Sequence, residues 1–126
     1  MIIAPWHSAV SVKNLDKTIA FYTENLGFHL DNTWDSPSGS RIAFLSAPGF
    51  LFEMIQRPDG QAISEKEQDL VHFAFQVENL DAAVASLTEK GITFLGPAKS
   101  ALNDTARIIF FLGPDGEKIE LMEKIG

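Results

Sequence analysis

Two histidines and two glutamates, His7, Glu53, His72 and Glu120, have the residue types and the spacing that metal chemistry asks for. The segment His7-Ser-Ala-Val-Ser-Val-Lys-Asn-Leu-Asp16 returns as His72-Phe-Ala-Phe-Gln-Val-Glu-Asn-Leu-Asp81, at an offset of 65 residues. Each histidine heads a row whose next member on the same strand face is alanine, Ala9 or Ala74, which leaves room above the imidazole. Glu53 in Leu51-Phe-Glu-Met-Ile55 and Glu120 in Lys118-Ile-Glu-Leu-Met122 occupy matching strands of the two repeats. A carboxylate in so apolar a segment as the first is costly to bury unpaired, and the chain has only three arginines to offer it. A bound divalent cation removes that cost. Neutral imidazole nitrogen with carboxylate oxygen suits Zn, Ni, Co, Fe(II) or Mn, and the ligand types do not choose among them. One ion per site on four protein ligands leaves positions for water or substrate oxygens, which makes a Lewis acid. Each residue alone has a plainer reading, as a surface or structural histidine or as the polar member of an alternating strand. The recurrence of His then Glu in both halves is what favours a metal. His29 lies outside the repeat and reads as a surface residue.

The elements that must present these side chains follow from periodicity. Each decamer alternates as a strand and then reaches a helix start, where Asn14 or Asp16, and again Asn79 or Asp81, can cap the first free N–H groups. Leu15, Ile19, Tyr22 and Leu26 fall at helical spacing before Gly27; Leu80, Val84 and Leu87 do so before Gly91. Short β-prone runs follow at 28–30, 41–45 and 51–55, and again at 93–95, 107–112 and 118–122. Pro48-Gly49 and Gly113-Pro-Asp-Gly116 supply reversals between the third and fourth strands of each half. The expected fold is α+β: one domain over 1–126, built from two βαβββ modules at 1–56 and 70–126, with a polar linker at 57–69. Neither four-stranded module covers both its faces, so the two are expected to combine into a curved mixed sheet with helices outside and a concave, metal-binding cavity. Alternation puts Val10, Val12, Phe73, Phe75, Val77, Ile119 and Leu121 under the helices. It leaves His7, Ala9, Ser11, His72, Ala74, Gln76 and Glu120 on the opposite, open face. Trp34, Phe44 and Met122 are candidate cavity residues, and Arg57, Lys99 and Arg107 are cations that either meet an anionic substrate or are simply solvated.

Composition narrows the partners. Ten Lys and Arg against seventeen Asp and Glu give a formal charge of −7, which repels nucleic-acid phosphates and anionic lipid surfaces. With no cysteine, disulfides and Cys-ligated zinc or iron–sulfur sites are excluded. The longest unbroken apolar run, 108–112, is far too short to span a bilayer, and the start Met-Ile-Ile-Ala-Pro-Trp has no basic n-region. A cytoplasmic protein acting on a small molecule is expected, with no membrane or nucleic-acid partner.

These residues resemble the vicinal oxygen chelate superfamily over nearly the whole chain. The marks are His7-Ser-Ala-Val-Ser-Val with Phe21-Tyr-Thr-Glu-Asn-Leu-Gly-Phe28, then Leu51-Phe-Glu53, His72-Phe-Ala-Phe-Gln-Val, and Asp115-Gly-Glu-Lys-Ile-Glu120-Leu. Within it the chain is most similar to glyoxalase I, whose ligands run His, Glu, His, Glu. That likeness implies His7, Glu53, His72 and Glu120 as ligands of one divalent ion (Ni, Zn, Co, Mn or Fe(II)) and Glu120 as the catalytic base, with Glu53 as the opposite-face partner. It also implies proton transfer through a metal-stabilised enediolate on a small carbonyl or thiohemiacetal, and a homodimer. Methylmalonyl-CoA epimerase, which usually has Gln where Glu53 stands, is the alternative. Three-ligand dioxygenases or fosfomycin-type transferases and non-enzymatic bleomycin-resistance-type binders fit less well. Bacterial glyoxalases commonly hold the glutathione carboxylates with an Arg four residues after the first ligand His and an Asn four after the first Glu. Here those positions are Ser11 and Arg57, so the implied chemistry carries over better than the implied thiol.

Overall fold

Asparagine starts both helices. Asn14, in extended backbone, accepts the Lys17 N–H at 3.0 Å and opens α1 (Leu15–Leu26), while Asn79 accepts the Ala82 N–H at 3.0 Å and opens α2 (Leu80–Glu89). Gly27 ends α1 in the left-handed conformation, φ 71°, which costs a glycine nothing; α2 ends on Lys90, one residue before Gly91. A computed structural model describes residues 1, 3–62 and 72–125. The chain divides into two units, Met1–Ile63 and Ser64–Gly126.

In the first unit β1 (Ser8–Ser11), β2 (His29–Asp35), β3 (Arg41–Ala47) and β4 (Phe50–Gln56) form one sheet in the order β1-β4-β3-β2, with β1 parallel to β4 and the other pairs antiparallel. Its α1-facing side is the core. Tyr22 on the helix sets its ring edge-on to Phe28 and Phe52, 5.5 Å from each, above Leu45, Met54 and Ala43. Burying a side chain of this size contributes about 1.5–3 kcal/mol.

The second unit repeats the plan with β5 (His72–Gln76), β6 (Lys99–Ala101), β7 (Ala106–Leu112) and β8 (Lys118–Lys124), ordered β5-β8-β7-β6, with β5 parallel to β8. Leu80 and Leu87 of α2 are buried, as are Ile109, Phe111, Ile119 and Leu121 of the sheet. Each unit is thus a four-stranded mixed sheet with its helix on one face, the expected βαβββ module.

The repeat extends to polar devices that periodicity does not reveal. Gln56 accepts the Leu15 N–H at 2.6 Å, and Glu123 accepts the Leu80 N–H at 2.6 Å. Asp16 and Asp81, read as alternative caps, instead pair from the first helical turn with Arg41 at 3.1 Å and Arg107 at 3.2 Å.

Two strands differ from expectation. The run 93–95 makes only an isolated bridge from Phe94 to Phe111, and the strand lies at β6 instead. Gly96 and then Pro97, which has no N–H, interrupt the ladder before it resumes at Lys99. β2 runs to Asp35 rather than to residue 30, with a register shift between Leu30 and Asn32. Every residue of this edge strand is exposed, so no apolar alternation marks it in the sequence. Residues 63–69 of the expected linker lie outside the described residues. Among the described residues, no helix is long and apolar enough to cross a membrane.

Candidate metal centre

On β4 the buried Phe52 and Met54 alternate with Glu53, so pleating alone turns Glu53 to the face away from α1. Its register neighbours are Ala9 on β1 and Phe44 on β3. On β8, Ile119 and Leu121 are buried and Glu120 is turned away between Ala74 on β5 and Phe110 on β7. The small alanine beside each glutamate opens the space that the histidine two residues earlier fills.

His7 Nε2 lies 3.8 Å from Glu53 Oε1, and His72 Nε2 lies 3.7 Å from Glu120 Oε1. Both separations exceed hydrogen-bond length. Two donors held at roughly 2.0–2.2 Å from one ion stand no more than about 4.3 Å apart, so each pair fits a shared cation. Both carboxylates are half-buried, with side-chain exposures of 20% for Glu53 and 16% for Glu120. The three arginines are engaged elsewhere: Arg41 and Arg107 with the helix aspartates, and Arg57, whose Nε donates to Ser11 Oγ at 3.1 Å. Among the described residues neither glutamate has a Lys or Arg partner. His7 Nδ1 is buried with no hydrogen-bond partner. The donor set therefore fits a divalent ion in type and spacing. Each unit brings one histidine to one glutamate, and among the described residues no three His, Cys, Asp or Glu side chains gather in one group.

The surroundings of the two pairs differ. Trp6 packs edge-on against His7 at 4.2 Å between ring centroids, and Phe44 lies 5.4 Å from His7 and 5.2 Å from Trp34. His72 is more open, with 55% of its side chain exposed, and meets Phe110 at 6.3 Å. Trp6 and Phe110 were not singled out from the sequence, yet Phe110 was legible as the repeat partner of Phe44. His29 is exposed on β2, its Nδ1 2.8 Å from Asp31 Oδ1, and takes no part in either pair. That contact, with a second hydrogen bond from Ser46, holds the Asp31 carboxyl below its ordinary range.

A family model described as the Glyoxalase/Bleomycin resistance protein/Dioxygenase superfamily matches residues 6–121. The lactoylglutathione lyase of Schizosaccharomyces pombe is 32% identical over 94% of this chain, which spans 46%, about half, of that enzyme's length. The metallothiol transferase FosB of Shouchella clausii is 30% identical over 91% of this chain and 76% of that protein. Among solved structures, a glyoxalase family protein from Enterococcus faecalis superposes with a TM-score of 0.83 at 27% identity, covering 96% of this chain and 98% of that one.

Proposed function

The chain belongs to the Glyoxalase/Bleomycin resistance protein/Dioxygenase superfamily, and from that premise we propose that it is a divalent-metal-dependent lyase or isomerase of the glyoxalase I type. It moves a proton on a small carbonyl or thiohemiacetal substrate. The observation that supports this reading is the repeated pair: the same histidine-to-glutamate separation, on the same strands, in both units. We assign His7, Glu53, His72 and Glu120 as the ligands of one ion, in a homodimeric assembly.

When bound, the ion supplies Lewis acidity toward a substrate oxygen beside an acidic C–H. Glu120 takes the proton from that carbon and returns it to the neighbouring one, and Glu53 holds the opposite face. Phe44 and Phe110, next to the two carboxylates in the sheet register, limit water at the reacting atoms, which protects the carbanion from solvent protonation on the wrong carbon. Ser11 and Arg57 replace the expected glutathione contacts, so the substrate class is drawn more broadly than the glutathione adduct of methylglyoxal.

The test is proton exchange. Protein reconstituted with Ni, Co, Zn or Mn, assayed in deuterated water on α-hydroxycarbonyl, thiohemiacetal and acyl-CoA thioester substrates, is expected to place solvent deuterium in product or recovered substrate. Exchange confined to acyl-CoA thioesters would replace this reading with the epimerase. The absence of both turnover and exchange, for all of these substrates and with every metal, would remove the proton-transfer mechanism altogether.

A further inference from the structure

The two histidines are held in different ways. His72 opens β5 and has a register partner of its own in Lys118, whereas His7 lies one residue before β1, ahead of the first register pair, Ser8 with Phe52. Strand pairing thus sets the backbone at His72, while the ring of His7 takes its orientation from the side chains around it. The hydrogen bond that usually orients a ligand histidine is missing as well. The ring nitrogen opposite the ligating one ordinarily donates to a carboxylate, a carbonyl or water, and among the described residues His7 Nδ1 is buried without a partner. Yet only 18% of the His7 side chain is exposed, against 55% for His72.

Two rings meet His7 in place of that hydrogen bond. The Trp6 indole stands edge-on to the imidazole, with centroids 4.2 Å apart and planes at 71°. Phe44 lies 5.4 Å from the imidazole and 6.3 Å from the indole, so the three rings form a triangle within the range at which aromatic rings attract. Trp6 is itself 73% exposed, so core packing does not account for the indole; what it covers is the imidazole. The second unit keeps the phenylalanine, with Phe110 6.3 Å from His72, but the residue before His72 is Val71, which has no ring to offer. The repeated fold therefore does not require an aromatic residue before the histidine. Trp6 stands in the unit whose histidine lacks a strand partner.

We propose that Trp6 is a positioning residue for His7: with Phe44 it holds the imidazole in the rotamer that sets Nε2 3.8 Å from Glu53 Oε1, the task that a hydrogen bond to Nδ1 performs at most ligand histidines. Ring contacts restrict the χ1 and χ2 angles of the imidazole. Less orientational freedom is then lost when the free nitrogen takes a metal ion. The consequence for metal affinity rests on the proposed function, in which His7 is a ligand; the hold on the ring is a property of the first unit alone.

The test compares wild type, Trp6→Ala and Trp6→Phe, each as the whole chain after EDTA treatment, first metal-free and then titrated with Co(II). In the metal-free protein, NOEs from the His7 ring protons to the Phe44 ring are expected in wild type and Trp6→Phe and lost in Trp6→Ala, with the ring signals of His29 unchanged in all three. Because Trp6 is exposed, both variants should keep the wild-type fold by circular dichroism. Calorimetric Co(II) affinity should fall about 10–100-fold in Trp6→Ala, the usual effect of losing the group that orients a ligand histidine, and Trp6→Phe should restore most of it. His7–Phe44 NOEs that persist in Trp6→Ala overturn the positioning role whatever the metal does. Co(II) affinity equal in wild type and Trp6→Ala, or lost as fully in Trp6→Phe, overturns its consequence for the metal. If Co(II) leaves the His7 ring signals of wild type unbroadened, His7 is no ligand and the proposed function falls, while NOEs lost in metal-free Trp6→Ala still uphold the hold on the ring, so the two failures are separable.

Discussion

Glu53 Oε1 and His7 Nε2 face each other at 3.8 Å, close enough to share a ligand and too far apart to bond to each other. The pair at His72 and Glu120 repeats this at 3.7 Å. If these four side chains hold one ion, purified protein reconstituted with Ni, Co, Zn or Mn should retain about one ion per four-ligand site. His7→Ala and His72→Ala should each lower retention sharply, since an imidazole ligand is lost. Elemental analysis after gel filtration reads both. Equal retention by wild type and both variants would place the metal elsewhere.

Glu120→Gln keeps a similar shape and an amide oxygen, and the position is half-buried beside Phe110. The variant should fold like wild type yet lose about 10²–10⁴-fold in turnover, the usual contribution of a positioned base. Circular dichroism and solvent-deuterium exchange distinguish this from misfolding: a folded variant with undiminished exchange would move the base to Glu53.

The Arg57 guanidinium reaches Ser11 at 3.1 Å, so the two positions at which the family's glutathione contacts stand touch each other here. The glutathione adduct of methylglyoxal should therefore be a poor substrate, and the double change Ser11→Arg with Arg57→Asn should improve it. Steady-state kcat/KM on that adduct decides. Efficient turnover by wild type would show that these two positions do not set thiol selectivity.

Glu123 tethers the start of α2 through the Leu80 N–H, as Gln56 tethers α1 through that of Leu15. Glu123→Ala strands a part-buried N–H and should cost about 1–3 kcal/mol. Glu123→Gln should cost less, because the first unit already uses the amide; only the carboxylate's favourable charge at a helix N-terminus is lost, about 0.3–1 kcal/mol. Urea unfolding midpoints of the three proteins test the order.

Asp31 accepts from Ser46 Oγ at 2.7 Å and lies 2.8 Å from His29 Nδ1, and these contacts hold its pKa below the ordinary value of 3.8. A lowered folded value means that the contribution of this carboxylate to stability is fully present above the unfolded pKa and is lost as pH falls through the folded one. Ser46→Ala should move the Asp31 titration upward, toward that ordinary value. A carboxyl-carbon NMR titration that does not shift would show that the hydroxyl contributes nothing.

The sequence by itself determined whatever has a short period. Strand alternation told Phe52 from Glu53 and Ile119 from Glu120 because adjacent side chains in a strand must point to opposite faces, and Asn14 and Asn79 marked helix starts because capping involves only the next three residues. The repeat then linked His7 with His72 and Glu53 with Glu120 across the chain. Tertiary structure decided what depends on a partner far away in sequence. Phe94 bridges Phe111 and Leu95 donates its N–H to Phe110 O at 2.9 Å, but Gly96 and Pro97 interrupt the ladder, which resumes only at Lys99. The exposed β2 has no apolar stripe, so only its ladder with β3 defines its length. Asp16 and Asp81 could equally have been caps until Arg41 and Arg107 came within reach. Lys118 has the same parity as Glu120, but its approach to the Phe110 ring, and that of Lys99, exists only once β6, β7 and β8 lie in register. Local periodicity assigns a face, and long-range pairing assigns the neighbours on that face.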